Sequence, residues 1–422
     1  MKILWLTNTP CGATERLTGQ AVTGGGWLYA LSEQIKTVPN IELHIAFYHK
    51  VQMPSFAHEG IWYHPIYHKS YSNKWQLIIG QFKARFSQPS DDDDINRVLS
   101  VVTEVKPDII HVHGSEENFG LIAQHLPNEN IVLSIQGLLN PCMEKLYSGI
   151  PKRDIVCREP ITHRLLNMGS VASERQFAHN ANRERQILSR INHIIGRTKW
   201  DFDCSLALNP NRKYYVVNEI LRSEFLTHKW EPRLKKEQYV ISTTVSNGLY
   251  KGVEAIYKAA KVLKEANFNF KWNVIGISSS DYITKIVESY IGENGSNLNL
   301  ELVGRKNAHQ MLDILDASDL FVQVSHIENS PNSLCEAMII GLPVIATFAG
   351  GTSSMMADGI EGVLVQDGDP YSLSGAIVHS SQNYTEMLSM SDKARNRALI
   401  RHRPENVCSK LISVYKKILG NQ

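Results

Sequence analysis

Long apolar runs are missing from this chain of 422 residues. No stretch approaches the roughly 20 apolar residues that a bilayer-crossing helix needs. The apolar run after Met1 is too short for the core of a secretory signal. These absences point to a protein made and kept in the cytoplasm. A charge excess is missing too: 44 Lys and Arg stand against 42 Asp and Glu, a net +2, so no nucleic acid or other polyanion is expected as partner. The cysteines at 11, 142, 157, 204, 335 and 408 are scattered, with no Cys-x-x-Cys and no histidine cluster at zinc spacing. Scattered reduced thiols fit the cytosol. No repeat of 20 to 50 residues emerges, which argues against a solenoid. Neither Gly-x-Gly-x-x-Gly nor a phosphate loop ending in Lys-Ser or Lys-Thr is present, so two common nucleotide fingerprints are excluded.

What the chain does have is a rhythm of short apolar runs alternating with helical patterns, the mark of α/β architecture with parallel sheets. The first half predicts strands at 2–7, 42–48, 108–113, 131–136, 193–196 and 214–218, with helices at 27–38, 95–106 and 174–188. The second half restarts the rhythm at 239–245, 271–275, 298–303, 319–324, 343–347 and 362–365. The polar stretch 228–238 reads as a linker. The expectation is therefore two Rossmann-like, doubly wound domains, 1–227 and 237–400, followed by a helical tail over 401–422 whose apolar stripe includes Val407, Leu411 and Tyr415. The run Asp91–Asp94 reads as a solvated helix entrance, because four adjacent carboxylates cannot converge on one ion.

The most informative passage runs from Glu328 to Ala346. Two glutamates, Glu328 and Glu336, flank a helix start, with Ser330 expected as N-cap and Pro331 at the first helical position. Gly341 supplies the stop. A helix N-terminus offers unpaired amides and partial positive charge, so the amides around Asn332, Ser333 and Leu334 can hold a phosphate. Glu328 and Glu336 then reach opposite sides of a bound diphosphate, a layout suited to a nucleotide sugar.

Open parallel sheets bind ligands at the carboxyl ends of their strands. His113, Gln136, Arg197 and Asn218 stand at those ends in the first half, and Ser246, Gly304, Ser325 and Gly350 in the second. Gly24-Gly25-Gly26 follows the first strand's loop and lets Gly25 and Gly26 bring backbone amides close to an anion. Lys251 adds a full charge in front of another helix. Trp75, Ile78, Ile79, Phe82 and Phe86 fall at helical spacing beside Lys74, Lys83 and Arg85. That stripe fits either a helix packed on the first sheet or one lying on an anionic membrane.

The passage Glu328–Glu336, with Pro-Asn-Ser-Leu before the second glutamate and Gly-x-Pro-Val-x-Ala after it, resembles the E-x7-E signature of family 4 retaining glycosyltransferases of the GT-B fold. The resemblance implies two Rossmann-like domains facing across a cleft and a C-terminal helix that crosses back to the first. It implies a nucleotide-sugar donor and a glycan or lipid-linked glycan acceptor, in work at the cytoplasmic face of the inner membrane. By the same resemblance Glu328 grips the sugar, Glu336 the ribose, and Lys251 the diphosphate. His113 stands near the donor sugar, while Gln136, Arg197 and Asn218 serve the acceptor or the positioning of the domains. No metal is expected, since cation and amides take up the charge and no Asp-x-Asp stands in a suitable loop. The chain departs from the family at Ser246, where an arginine usually completes the phosphate clamp, and Arg305 or Arg197 would have to compensate. It departs again at Ser354, where a glutamate is frequent. Two rivals remain: a non-hydrolysing sugar-nucleotide epimerase of the same architecture, with Glu116, Glu117 and Glu219 as its candidate carboxylates, and a non-catalytic carbohydrate-binding protein.

Overall fold

The first residues form the strand their apolar run predicts. β1, Lys2–Thr7, is buried along nearly its whole length, as a strand covered on both faces must be. The computed structural model describes residues 1–19, 26–68, 90–127, 130–233 and 238–420. Gly25 of the glycine run, the stripe from Trp75 to Phe86 and Lys235-Lys236 of the linker lie outside them.

Around β1 the first unit builds a parallel sheet from β2 (Glu42–His49), β3 (Phe56–His58), β4 (Ile61–Tyr67), β5 (Ile109–His113), β6 (Ile131–Ser134), β7 (His193–Gly196) and β8 (Lys213–Val216). Their order is β3-β4-β2-β1-β5-β6-β7-β8, and only β3 runs antiparallel to its neighbour. β3 and β4 are the strands that the sequence pattern does not announce, because Pro65 argues against a central strand. β3 pairs only with Ile61–Tyr63, so at Pro65 β4 is an edge among the described residues and its missing N–H costs no ladder bond.

The second unit repeats the plan with β9 (Tyr239–Thr244), β10 (Phe270–Ile275), β11 (Leu300–Gly304), β12 (Leu320–Gln323), β13 (Val344–Thr347) and β14 (Val363–Val365). The order is β11-β10-β9-β12-β13-β14, all parallel. The α/β class and the paired Rossmann-like sheets read from the rhythm are present. In each sheet the winding reverses beside the first strand, between β1 and β5 and between β9 and β12. Such switch points are where parallel sheets open a ligand crevice.

Unit boundaries differ from the sequence expectation in two places. Residues Glu144–Glu159 group with the second unit, where Ile150 and Ile155 sit in the core formed around Trp272 and Phe270. The second unit also begins at Leu221 rather than beyond the linker, because Phe225 and Trp230 are buried in its other apolar cluster. The expected linker is partly structural: the Trp230 amide donates to the Ile340 carbonyl at 2.8 Å, and Arg233 pairs with the buried Asp319. The tail, His402–Gln422, groups with the first unit. On its helix, Pro404–Ile418, Tyr415 is fully buried and accepts a hydrogen bond from the Trp5 indole at 3.0 Å.

Candidate functional site

The loop after β9 and the loop after β12 are forced together by one glycine. Gly252 has φ +75, and a methyl there would run into the Val324 carbonyl oxygen. On the other side of Lys251, the Tyr250 carbonyl accepts the His326 amide at 3.0 Å. Both neighbours of Lys251 are thus pinned to the loop that follows β12. Its ammonium donates to Glu328 Oε1 at 2.6 Å, and the Ser325 hydroxyl donates to the same oxygen at 2.9 Å. Lys251 and Glu328, read from the sequence as separate grips on diphosphate and sugar, are partners of each other.

Beneath them lies a buried polar chain that the spacing of residues gave no means to find. His326 Nε2 meets Glu254 Oε1 at 2.8 Å and its Nδ1 meets Asp367 Oδ2 at 3.3 Å. Burial pulls the His326 pKa down, but the two carboxylates outweigh it and the net shift is upward. The turn Asp367-Gly368-Asp369 carries two carboxylates. Its first carboxylate is on His326, and its second caps the next helix by accepting the amides of Tyr371 and Ser372.

The helix between the two glutamates spans Asn332–Ile340. Ser330 is not its cap. Pro331 takes the cap position with extended ψ, and the Ser330 hydroxyl points instead to Met355 Sδ at 3.3 Å. Leu334 also differs from expectation, since its amide and that of Cys335 donate back to the Pro331 carbonyl. The amides of Asn332 and Ser333 are the ones left without a backbone acceptor among the described residues. The Asn332 side-chain oxygen is buried and likewise finds no partner among them.

Glu336 lies in this helix's second turn, 4% exposed, and is held by Arg222 through two bonds of 2.7 Å. Burial raises the Glu336 pKa and Arg222 only partly reverses it. Arg222 escaped sequence reading, because a pair 114 residues apart leaves no local pattern. Ser246 is exposed, with its carbonyl bonded to the Gly248 amide. Of the replacement cations, Arg305 is exposed, and Arg197 belongs to the first unit. Gly304 ends β11 with its carbonyl and amide tied to Gly276 and Ile277.

In the first unit, His113 ends β5 beside the switch point. It is 3% exposed, and neither ring nitrogen has a hydrogen-bond partner among the described residues. It stacks on His111 at 3.8 Å and meets the edges of Trp5 and Trp27. Burial, with His111 and Arg197 adding to it, holds its pKa well below the ordinary histidine range, so the ring is neutral near pH 7. Gln136 donates to the His113 carbonyl at 3.0 Å. Arg197 stacks on Trp27 at 4.3 Å and faces the buried Glu219 at 3.3 Å. Asn218 follows β8 by two residues, half-buried. Gly26 opens the helix Gly26–Ile35.

The architecture is that of the GT-B glycosyltransferases. It superposes on sucrose-phosphate synthase from Thermosynechococcus elongatus with a TM-score of 0.69 at 14% identity, covering 99% of each chain. HepE from Anabaena, solved in complex with UDP-glucose, gives 0.65 at 15% identity, over 99% of this chain and 100% of that one. Residues 225–397 match the family described as glycosyl transferases group 1. Among curated relatives, the amylovoran biosynthesis glycosyltransferase AmsK of Erwinia amylovora is 26% identical over 151 residues, 34% of this chain and 36% of that one. A D-inositol 3-phosphate glycosyltransferase of Streptosporangium roseum is 32% identical over 95 residues, 22% and 21% of the two chains. The chain spans little more than a third of the length of the curated relatives it matches over the longest of these stretches.

Proposed function

We propose that this chain is a retaining glycosyltransferase that moves a sugar from a nucleotide-diphosphate sugar to a glycan or lipid-linked glycan during cell-surface polysaccharide synthesis. The observation that carries the reading is the Lys251–Glu328 contact at the β9/β12 switch point, beside the start of the helix that bears Glu336. The group 1 match over 225–397 and the named activity of AmsK support it. In the proposed reaction the anomeric carbon–oxygen bond breaks and its electron pair leaves on the diphosphate, while an acceptor hydroxyl forms the new bond to the anomeric carbon and gives its proton to the departing phosphate oxygen. Lys251, freed from Glu328 by the incoming phosphates, and the amides of Asn332 and Ser333 stabilise that charge. Glu328, released in turn, faces the positive character building at the sugar ring. Glu336 holds the ribose. The neutral His113 offers one donor and one acceptor to substrate hydroxyls. The chemistry needs no metal, and the site of action is the cytoplasmic face of the membrane.

The test is thermal unfolding against a panel of nucleotide sugars, since a bound ligand raises apparent stability by mass action. One or more nucleotide sugars should raise the melting temperature, and Glu328→Gln should abolish transfer while keeping nucleotide binding. No stabilisation by any of them would overturn the reading. A second reading, epimerisation of the sugar nucleotide, is favoured by Glu116, whose pKa burial pushes up to about 7, the range of a general acid or base. Donor incubated without acceptor decides between the two, because only an epimerase changes the sugar.

A further inference from the structure

Both ring nitrogens of His326 face carboxylate oxygens, Nε2 on Glu254 at 2.8 Å and Nδ1 on Asp367 at 3.3 Å. A neutral imidazole carries one N–H, so one of these contacts would set lone pair against lone pair. Two acceptors call for two donors, which makes the ring an imidazolium. The surroundings fit that charge. His326 and Glu254 are both buried, and among the described residues no other cation pairs with Glu254. Lys145 stands 3.6 Å from Asp367 Oδ2, the oxygen that His326 also meets. A methyl at Gly149 would run into the Glu254 carboxylate, and Lys258 donates to the Gly149 carbonyl at 3.2 Å. Lys145 and Gly149 belong to Glu144–Glu159, the segment that joins this unit.

We propose that His326 is the positioning residue of the Lys251–Glu328 pair: its ring, clamped between Glu254 and Asp367, ties the loops after β9, β12 and β14 into one frame and holds the ammonium where a nucleotide's diphosphate can engage it. The inference rests on the nucleotide-sugar reading above and adds to it the group that keeps its two charged residues in register. Glu254 opens the helix Val253–Glu265 just past Lys251, Asp367 lies in the turn after β14, and His326 stands two residues before Glu328. The backbone pins at Tyr250 and Val324 hold the loop after β12 up to His326, and the ring carries that hold across to the third loop. Burial lowers the His326 pKa, and Glu254 and then Asp367 more than reverse it. Nearby charges do not disturb this balance. Lys145 shares Asp367, Lys258 is engaged at Gly149, and Asp369 caps the next helix. The frame is therefore complete at neutral pH and loosens on the alkaline side, where the ring loses a donor and one carboxylate is left facing a lone pair.

The experiment is calorimetric titration of the full chain with UDP from pH 7 to 9. Across that window a diphosphate stays ionised and ordinary lysines keep their charge. Wild-type affinity should fall about 10-fold towards pH 9, through one inflection. Asp367→Asn keeps the shape of the clamp but withdraws one of the charges that hold the proton, so its inflection should move towards acid. His326→Gln should bind UDP about 10-fold more weakly than wild type at pH 7 and hold that affinity unchanged to pH 9. Full affinity in His326→Gln would overturn the inference, and so would an unmoved inflection in Asp367→Asn. Asp367 is partly exposed, so its variant keeps the fold and decides the matter even where His326→Gln does not fold. Wild-type affinity that is flat across the window would overturn the inference and leave the nucleotide reading standing. Wild type failing to bind UDP at any pH would overturn both.

Discussion

Gly350 lies so close to the backbone of Glu328 that any side chain at 350 would meet the Glu328 carbonyl oxygen. Its φ is +56, a left-handed conformation, and the next amide, Gly351 N–H, donates to that same carbonyl at 2.8 Å. The turn after β13 thereby fixes the backbone of the glutamate that meets Lys251. Gly350→Ala should lower stability by about 2–4 kcal/mol, from left-handed strain and overpacking together. Gly375 is the control: exposed in the helix Pro370–Gln382 with open space around it, it should gain about 0.5–1 kcal/mol as alanine. Urea unfolding of both variants checks the pair.

Lys251→Met should separate the lysine's two partners. The lost ion pair is partly exposed, so stability should change by no more than about 1 kcal/mol. Diphosphate binding should suffer far more, about 10- to 100-fold for a charge-assisted contact. Titration with UDP, set beside a melting curve, checks both halves. An equal loss in stability and affinity would mean that the lysine serves the fold.

His326 predicts a pH dependence. Its folded pKa lies above its unfolded value, so the native state binds the extra proton more readily. That contribution is complete below the ordinary histidine range near 6.5 and is lost as pH rises through the raised folded value. Stability measured from pH 6 to 9 should therefore decline on the alkaline side in wild type. In His326→Gln that part of the slope should vanish. An unchanged slope in the variant would assign the titration elsewhere.

Tyr415→Phe tests how the terminal helix supports the first unit's strand-end histidine. The Trp5 indole can only donate, so the Tyr415 oxygen accepts from it, and the phenol proton goes to His111 Nδ1 at 2.6 Å. His111 Nε2–H then donates to Ser134 Oγ at 2.7 Å, and the His111 ring lies against His113. Removing the hydroxyl leaves two buried groups unpaired and should cost about 2–4 kcal/mol. Nitrogen chemical shifts should also show that His111 loses its single tautomer. A stable variant with an unaltered His111 signal would contradict the chain of bonds.

Much of the fold was legible because the period of burial is local. The run Lys2–Thr7 and the restart at Tyr239 are apolar strings that a parallel sheet covers on both faces, and such strings are visible one residue at a time. Pro65 hid β4 because its meaning depends on whether the strand is an edge. Ser330 misled for a related reason. Serine favours caps in general, but here Pro331 holds the cap position and the Ser330 hydroxyl has a sulfur to meet.

The two rounds of alternating strand and helix, and the placing of Glu328, Glu336 and Lys251 near strand ends and helix starts, can be read along the chain. Those features follow from nearest-neighbour chemistry: apolar period, proline and glycine punctuation, and the spacing of acids. Folding is what brings Lys251 to Glu328 and Arg222 to Glu336, and what joins residues 144–159 to the second unit. Each of these joins residues 77 or more positions apart or depends on which core has room for Ile150 and Ile155. Partnerships of that kind are set by where parallel strands reverse their winding and by how near glycine lets two loops approach.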